Sequence, residues 1–369
     1  MMPLYLDANA TEPLRPEARE AALAAMELVG NPSSVHAEGR AARRVLEEAR
    51  ARVAARFGGA ARDVVFTSGG TEANALAIAS LRRGRRVLAG ATEHPAVLRA
   101  SDGAGVLPVL PNGTLDLAAL DRALGEGGPA LVCLMVANNE TGVIHPVVEA
   151  AALCRRHGAL LHLDAVQAAG RIPLAFSGSG AESMAVSGHK LGGPKGAGAL
   201  LLRPGLDLQP LIAGGGQERG RRGGTEALPA IAGLGAAAMA AEPATALRLA
   251  ALRDGIEAAL GLPVAGEGAA RLPNTTCLVL PGITAETAVI ALDLEGVRVS
   301  AGAACSSGKV SRSPVLTAMG LGEGAGQAIR VSLPWNAPDD APARFAAACR
   351  AVLERLRGRV PNGALRAVG

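Results

Sequence analysis

Ala159-Leu-Leu-His-Leu-Asp164 and Ser183-Met-Ala-Val-Ser-Gly-His-Lys190 are apolar runs that stop on an aspartate and a lysine, and their reading decides the fold. Near-continuous apolar runs of this length suit strands covered on both faces. They sit inside a longer alternation, from Asp63 to Arg203, in which short Val- and Leu-rich runs are separated by helical patterns. That alternation is the signature of βαβ units and a parallel sheet. Strands are expected near 63–67, 86–90, 106–109, 130–137, 159–163, 183–187 and 199–203, making one large, mostly parallel seven-stranded sheet of the α/β class. Upstream, Ala42, Val45, Leu46, Ala49, Val53 and Phe57 fall on one helical face that ends at Gly58, which predicts an amphipathic helix over 35–57 covering the sheet. Beyond about residue 245 the pattern changes to helix 245–260, strand 275–280, helix 284–295, strand 297–300, a Gly/Ser-rich stretch and a last helix near 339–357. This second, smaller unit reads as α+β.

The composition narrows the class. A chain of 369 residues, 49% hydrophobic and 19% charged, has ample length for a large core and predicts about two domains. The longest apolar candidate for a membrane span, Ala230–Ala241, is short and interrupted by glycine, so no spanning helix is expected. The start, Met-Met-Pro-Leu-Tyr-Leu-Asp7, lacks the basic region and apolar core of a secretory signal, which predicts a cytoplasmic location. A net charge of +4 and six aromatic residues provide neither the charge nor the stacking platform that direct nucleic-acid binding needs. The five cysteines show no metal-ligand spacing. Three lysines, Lys190, Lys195 and Lys309, stand against 34 arginines. Arginine replaces lysine as a surface charge, but it stays protonated and forms no imine. A lysine retained at a strand end is therefore a candidate for chemistry.

Lys190 lies where open α/β sheets hold ligands, at the carboxyl end of a parallel strand, with Ser187 and His189 beside it as groups suited to an anion. Asp164, at the end of the other run, could keep a pyridine nitrogen protonated, as the electron sink of pyridoxal 5'-phosphate (PLP) requires. Read alone, Lys190 serves equally as a solvated loop lysine and Asp164 as a turn residue; the pair, one crossover apart, is more specific. Thr67-Ser-Gly-Gly70-Thr71-Glu72 joins a strand to a helix expected over 73–79, and such a turn offers unpaired N–H groups to a phosphate. It lacks the patterns of a nucleotide phosphate loop or a dinucleotide fingerprint, which argues against ATP and NAD. Cys305 sits among small residues, Ser300-Ala-Gly-Ala-Ala-Cys-Ser-Ser-Gly308, a context suited to a thiol that moves and ionises. Cys133, Cys154, Cys277 and Cys349 lie in apolar contexts suited to packing.

Taken together, these residues resemble the PLP-dependent cysteine desulfurases of the NifS/IscS type, within the class V aminotransferase family of PLP fold type I. The resemblance runs from Tyr5-Leu-Asp-Ala-Asn-Ala-Thr11 through Gly30-Asn-Pro-Ser-Ser34, Ala91-Thr-Glu-His94, Asn138-Asn-Glu-Thr-Gly142, Asp164-Ala-Val-Gln167, Ser187-Gly-His-Lys190 and Arg222-Gly-Gly-Thr225 to the Cys305 loop and Ile329-Arg-Val-Ser332. It implies a large PLP-binding domain over 16–245, and a small domain from 1–15 and 246–369 that carries the cysteine loop. It further implies that Lys190 holds PLP covalently and moves protons, that Asp164 pairs with the ring nitrogen, and that His94 stacks on the ring. Asn139 and Gln167 would face the 3-hydroxyl; Gly70, Thr71, Ser187 and His189 would hold the phosphate, joined by Thr225 from a second subunit of a homodimer. Arg330, with Asn139, would bind the carboxylate of L-cysteine, and Cys305 would be the nucleophile that carries sulfur as a persulfide. Outside the resemblance, His94 and His189 read equally as hydrogen-bonded histidines, Asn139 as a turn cap and Arg330 as an ion-pair residue.

The implied activity converts L-cysteine to L-alanine and passes sulfur to an acceptor, an iron–sulfur scaffold or a tRNA-thiolation factor. The alternatives are a selenocysteine lyase or small-amino-acid aminotransferase, and a non-catalytic sulfur-transfer or assembly partner. Two departures carry expectations. Where the family continues Gly-Arg-aromatic-Thr after the Arg330 strand, this chain reads Pro334-Trp335-Asn336-Ala337, which predicts altered packing around Arg330. The chain ends soon after its last helix, which predicts a different choice of acceptor, and the small-residue Cys305 loop predicts direct transfer without an activator.

Overall fold

The computed structural model describes residues 3–302 and 312–357, so Cys305 lies outside the described residues. The first strand, β1 (Leu4–Tyr5), belongs to the small unit. The next seven, β2 (Val64–Thr67), β3 (Arg86–Gly90), β4 (Gly105–Leu107), β5 (Ala130–Met135), β6 (Leu160–Asp164), β7 (Ser183–Ser187) and β8 (Gly198–Leu202), form one sheet in the order β2-β8-β7-β6-β5-β3-β4. All run parallel except β8, which pairs antiparallel with both β2 and β7. β2, β5, β7 and β8 are buried at every residue, which is why they read as unbroken apolar runs.

Helices cover both faces. On one side Ala37–Phe57 buries Ala42, Leu46, Ala49, Val53 and Phe57, the face marked by its sequence, and ends on Gly58 in the left-handed conformation. Its start is fixed by His36, which accepts the Gly39 N–H, a cap that accounts for this histidine. Leu228–Ala240 packs on the same side and is almost wholly buried. No single helix among the described residues is long and apolar enough to cross a membrane. On the other face lies Gly70–Leu81, which buries Leu76, Ala77 and Ile78. It begins three residues before the apolar periodicity does, because Gly70 and Thr71 occupy its first turn instead of a loop.

The small unit holds β9 (Thr275–Val279), β10 (Val297–Arg298), β11 (Ser300–Ala301) and β12 (Ala328–Ser332). β11, β12 and β9 form an antiparallel sheet, while β10 pairs parallel with β1. The single strand expected over 297–300 is thus two, divided at Val299 between two sheets. Helices Ala246–Leu260, Ala285–Leu294 and Ala341–Arg357 close a core around Leu6, Ile256, Leu292 and Phe345. Beyond β1 the chain continues between the two units: Ser332 N–H donates to the Leu6 carbonyl (2.8 Å) and Asn9 N–H to Ser332 Oγ (3.0 Å).

Candidate active site

Five of the parallel strands end on one rim, and each delivers a group there. The turn after β2 brings Gly70 and Thr71; after β3 comes His94, after β5 Asn139, after β6 Asp164 and Gln167, and after β7 Ser187, His189 and Lys190. All nine line one pocket of about 210 Å³. The carboxyl ends of parallel strands are where open α/β sheets bind ligands. A larger cavity, about 830 Å³, opens at the opposite ends of β6 and β7, among Gly58, Gly158, Phe176 and the Glu182–Arg203 ion pair. It contains neither Lys190 nor Asp164, so the smaller pocket is where the chemistry lies.

Lys190 Nζ donates to the carbonyls of Asn9 and Ala10 from the segment that threads between the two units. Asp164 is buried, and both its oxygens are met: Oδ1 by the Val166 N–H (3.0 Å) and Oδ2 by Asn74 Nδ2 (2.7 Å). Burial pushes the Asp164 carboxyl up, against the pull of these donors and of His94 and Lys190. His94 caps the helix Pro95–Ala100 by accepting the Ala96 N–H (3.1 Å), and burial holds it below the usual histidine range. His189 is pushed down to about 4 by burial and by the positive charges of Lys190, Lys195 and Arg171, and its Nδ1 lies 3.1 Å from Thr11 Oγ1. At neutral pH it is uncharged and acts as a hydrogen-bonding group.

Gly70 has a steric reason for its identity. A Cβ there would stand 2.6 Å from Val166 Cγ2, so a side chain would force the first turn of Gly70–Leu81 away from the pocket. Gly70 and Thr71, the first residues of that helix, line the pocket, and the unpaired N–H groups of a helix start suit a phosphate.

Gln167 Nε2 donates to the Asn9 carbonyl (3.0 Å), and its Oε1 accepts from the buried Arg171, which pairs with Glu12 (3.3 Å). The departure at Trp335 joins this group: its N–H donates to Glu12 Oε2 (3.3 Å), its indole N–H to the Pro13 carbonyl (3.0 Å), and Arg15 lies over its ring. Arg330 does not line the pocket. It is buried, with Nη2 on Asp7 Oδ1 (2.6 Å) and Nη1 on the Asn139 carbonyl (3.1 Å). Thr225 is exposed and lies instead beside Thr67 and Ser68, in a loop tied to the Gly70–Leu81 helix by the Arg222–Glu72 ion pair (2.8 Å). Cys133, Cys154, Cys277 and Cys349 are all buried, and burial pushes Cys154 and Cys277 up to about 12, which keeps both as thiols.

Three residues of this neighbourhood, Asn74, His162 and Arg171, carry no motif signal of their own. Their signals are periodic: His162 is two residues before Asp164 on the same face of β6, Asn74 is one helical turn past Gly70, and Arg171 is one turn past Gln167.

The sequence model of the class-V aminotransferases matches residues 4–340. The chain belongs to the class-V aminotransferase family. It is 42% identical to a cysteine desulfurase of Cereibacter sphaeroides over 98% of both chains. The solved structure of a NifS-like protein from Rickettsia africae superposes with a TM-score of 0.89 at 33% identity, covering 95% of this chain and 99% of that one. The solved structure of SspA in complex with cysteine superposes with a TM-score of 0.80 at 28% identity, covering 90% and 99%.

Class-V aminotransferases use PLP, and the groups around the pocket fit it. The pocket offers one amine, Lys190, able to hold an aldehyde carbon, and a buried carboxylate, Asp164, for a ring nitrogen. It also offers a helix start without side chains, at Gly70, for a phosphate. Among the described residues no group of His, Cys, Asp and Glu is arranged to hold a metal ion.

Proposed function

We propose that this protein is a PLP-dependent cysteine desulfurase, which takes the sulfur of L-cysteine onto Cys305 and releases L-alanine. The observation that carries the reading is Lys190 and Asp164 in one pocket of a chain 42% identical, end to end, to a cysteine desulfurase. Bound PLP supplies an electron sink for the bonds at the substrate α-carbon. Lys190 would hold the cofactor and move a proton at that carbon. Asp164 would keep the ring nitrogen protonated, His94 would lie against the ring, and Asn139 and Gln167 would serve its 3-hydroxyl. The Gly70 and Thr71 amides, Ser187 and His189 would hold the phosphate, with Thr225 of a second copy completing a homodimeric site. Arg330 binds the substrate carboxylate together with Asn139, a task for which its paired N–H groups suit it. To do so it has to share or exchange the Asp7 carboxylate that it holds here.

In the sulfur step the Cys305 thiolate attacks the substrate sulfur, an S–S bond forms as the Cβ–S bond breaks, and Cβ gains a proton. The persulfide then passes its outer sulfur to an acceptor protein, an iron–sulfur scaffold or a tRNA-thiolation factor, in the cytoplasm.

The test is the visible spectrum of purified protein before and after L-cysteine, with sulfide and alanine assayed in the same tube under reducing conditions. A cofactor band that responds to cysteine, with sulfide and alanine in equal amounts, is the expected result. A PLP band that responds to other amino acids without sulfide would overturn the desulfurase reading in favour of an aminotransferase. Cys305→Ala is expected to abolish the persulfide while PLP stays bound.

A further inference from the structure

Behind Asp164 runs a chain of buried polar groups that the reaction does not touch. Ser183 Oγ lies 2.8 Å from His162 Nδ1, His162 Nε2 lies 2.9 Å from Asn74 Oδ1, and Asn74 Nδ2 lies 2.7 Å from Asp164 Oδ2. His162 and Ser183 are fully buried, and Asn74 is 1% exposed. The fold explains the alignment. His162 and Ser183 are register partners on β6 and β7, and His162 shares a strand face with Asp164. The Gly70–Leu81 helix covers that face and brings in Asn74, so one helix offers amides at its start and a side-chain amide to Asp164.

We propose that His162, backed by Ser183 and acting through Asn74, is a positioning residue that fixes Asp164 as a carboxylate; the inference rests on reading Asp164 as the partner of the PLP ring nitrogen.

With Asp164 ionised, every bond points the same way: Ser183 O–H donates to His162 Nδ1, His162 Nε2–H to Asn74 Oδ1, and Asn74 Nδ2–H to Asp164 Oδ2. Each donation polarises the next, and all favour negative charge at the far end. A proton on Oδ2 would face the Asn74 N–H, and a proton on Oδ1 would face the Val166 N–H. Relieving the first clash requires the Asn74 amide to turn over, the imidazole proton to move from Nε2 to Nδ1, and the Ser183 hydroxyl to reverse. Those are coupled changes in a dry interior, where an unmatched polar group is costly. Burial pushes His162 down to about 3, so it is neutral and has one N–H to place. The charged groups around Asp164 are His94 and Lys190, which favour the carboxylate when protonated, and Glu93, which disfavours it when ionised. Unlike these, the relay holds Asp164 without itself carrying charge.

The test compares wild type with His162→Phe, which breaks the relay, His162→Gln, which can still donate to Asn74, and Ser183→Ala, which deletes one hydroxyl. In protein without cofactor, the Asp164 carboxyl is followed by ¹³C-aspartate NMR, assigned with Asp164→Asn. In protein loaded with ¹⁵N-PLP, the ring nitrogen is followed between about pH 6 and 8, around neutrality. Expected in His162→Phe are an Asp164 titration moved to higher pH, loss of the ring-nitrogen proton at the upper end, and PLP binding weaker by about tenfold. His162→Gln should restore all three, and Ser183→Ala should move them in the same direction by less. Unchanged Asp164 titration in Ser183→Ala and in folded His162→Phe, with only the unfolding temperature lowered, would overturn the relay. If His162→Phe does not fold, Ser183→Ala decides alone. If wild type binds no PLP, the cofactor reading fails, and the carboxyl titration without cofactor still decides the relay.

Discussion

The two ends of β6 and β7 make opposite use of the same sheet. At their amino ends the sheet leaves about 830 Å³, bordered by Gly58, Gly158 and Gly180 and by a single ion pair whose Arg203 side chain is 57% exposed. At their carboxyl ends it leaves about 210 Å³, yet there Asp164 has both its oxygens bound and Lys190 donates to two carbonyls. Room for a ligand and the means to act on one are thus separated by the length of a strand. Strand polarity, more than cavity size, decides where polar groups converge, because the loops after the carboxyl ends gather residues from five strands.

The sharpest way to break this contrast is Lys190→Ala, which should remove the covalently held PLP band and lower desulfurase turnover by about 10²- to 10⁴-fold, read by sulfide release. Arg330→Lys follows. A lysine offers a point charge where a fork is needed, and kcat/KM for L-cysteine should fall by about 10- to 100-fold, mostly through KM. Gly70→Ala places its Cβ against Val166 Cγ2 and should cost about 1–3 kcal/mol in urea unfolding, with weaker PLP retention.

A pH effect belongs to the relay behind the same rim and to His145, which lies outside it. Burial holds His162 at about 3 and His145 at about 4, against 6.5 for an ordinary histidine. As pH falls from 6.5 towards 4 the unfolded chain takes up protons that the native one refuses, so stability falls, by about 1.4 kcal/mol per pH unit for each histidine. Urea midpoints at a series of pH values check it. The smallest effect should come from the amino end: Arg203→Ala should leave turnover unchanged and cost about 1 kcal/mol of stability, because the arginine is itself exposed while its buried partner Glu182 keeps the Leu161 N–H. A loss of turnover there would dissolve the contrast between the two ends.

Much of this was legible in the residues. The strands of the large sheet show as apolar runs because both faces are covered, and Gly58 marks the end of the Ala37–Phe57 helix, whereas its cap His36 shows only in the structure. Strand direction carries no such mark, so the reversal of β8 could not be read from Gly198–Leu202. Nor could the division at Val299, since Val297 to Ser300 alternates like one strand while its two halves pair with residues some 290 and 30 positions away. At the site, the residues carried by motifs, Lys190, Asp164, His94 and Gln167, come together in the pocket. Those that orient them, such as His162 and Arg171, look in sequence like any polar residue within an element. Their meaning comes from a partner on another element: Ser183 across the sheet for one, Glu12 for the other.

The segment from Leu4 to Ala10 gives the site a timetable. Its carbonyls at Asn9 and Ala10 hold Lys190, but the segment is itself held by Arg298 and Ser332, more than 290 residues later. Closing so long a loop costs entropy that only the finished partner strand repays. A ribosome that has released residues through Leu202 has made every strand of the large sheet and still has no clamp on the lysine. Competence at Lys190 therefore arrives in one late event, when β12 is complete and the earliest residues of the chain find the last sheet to be made.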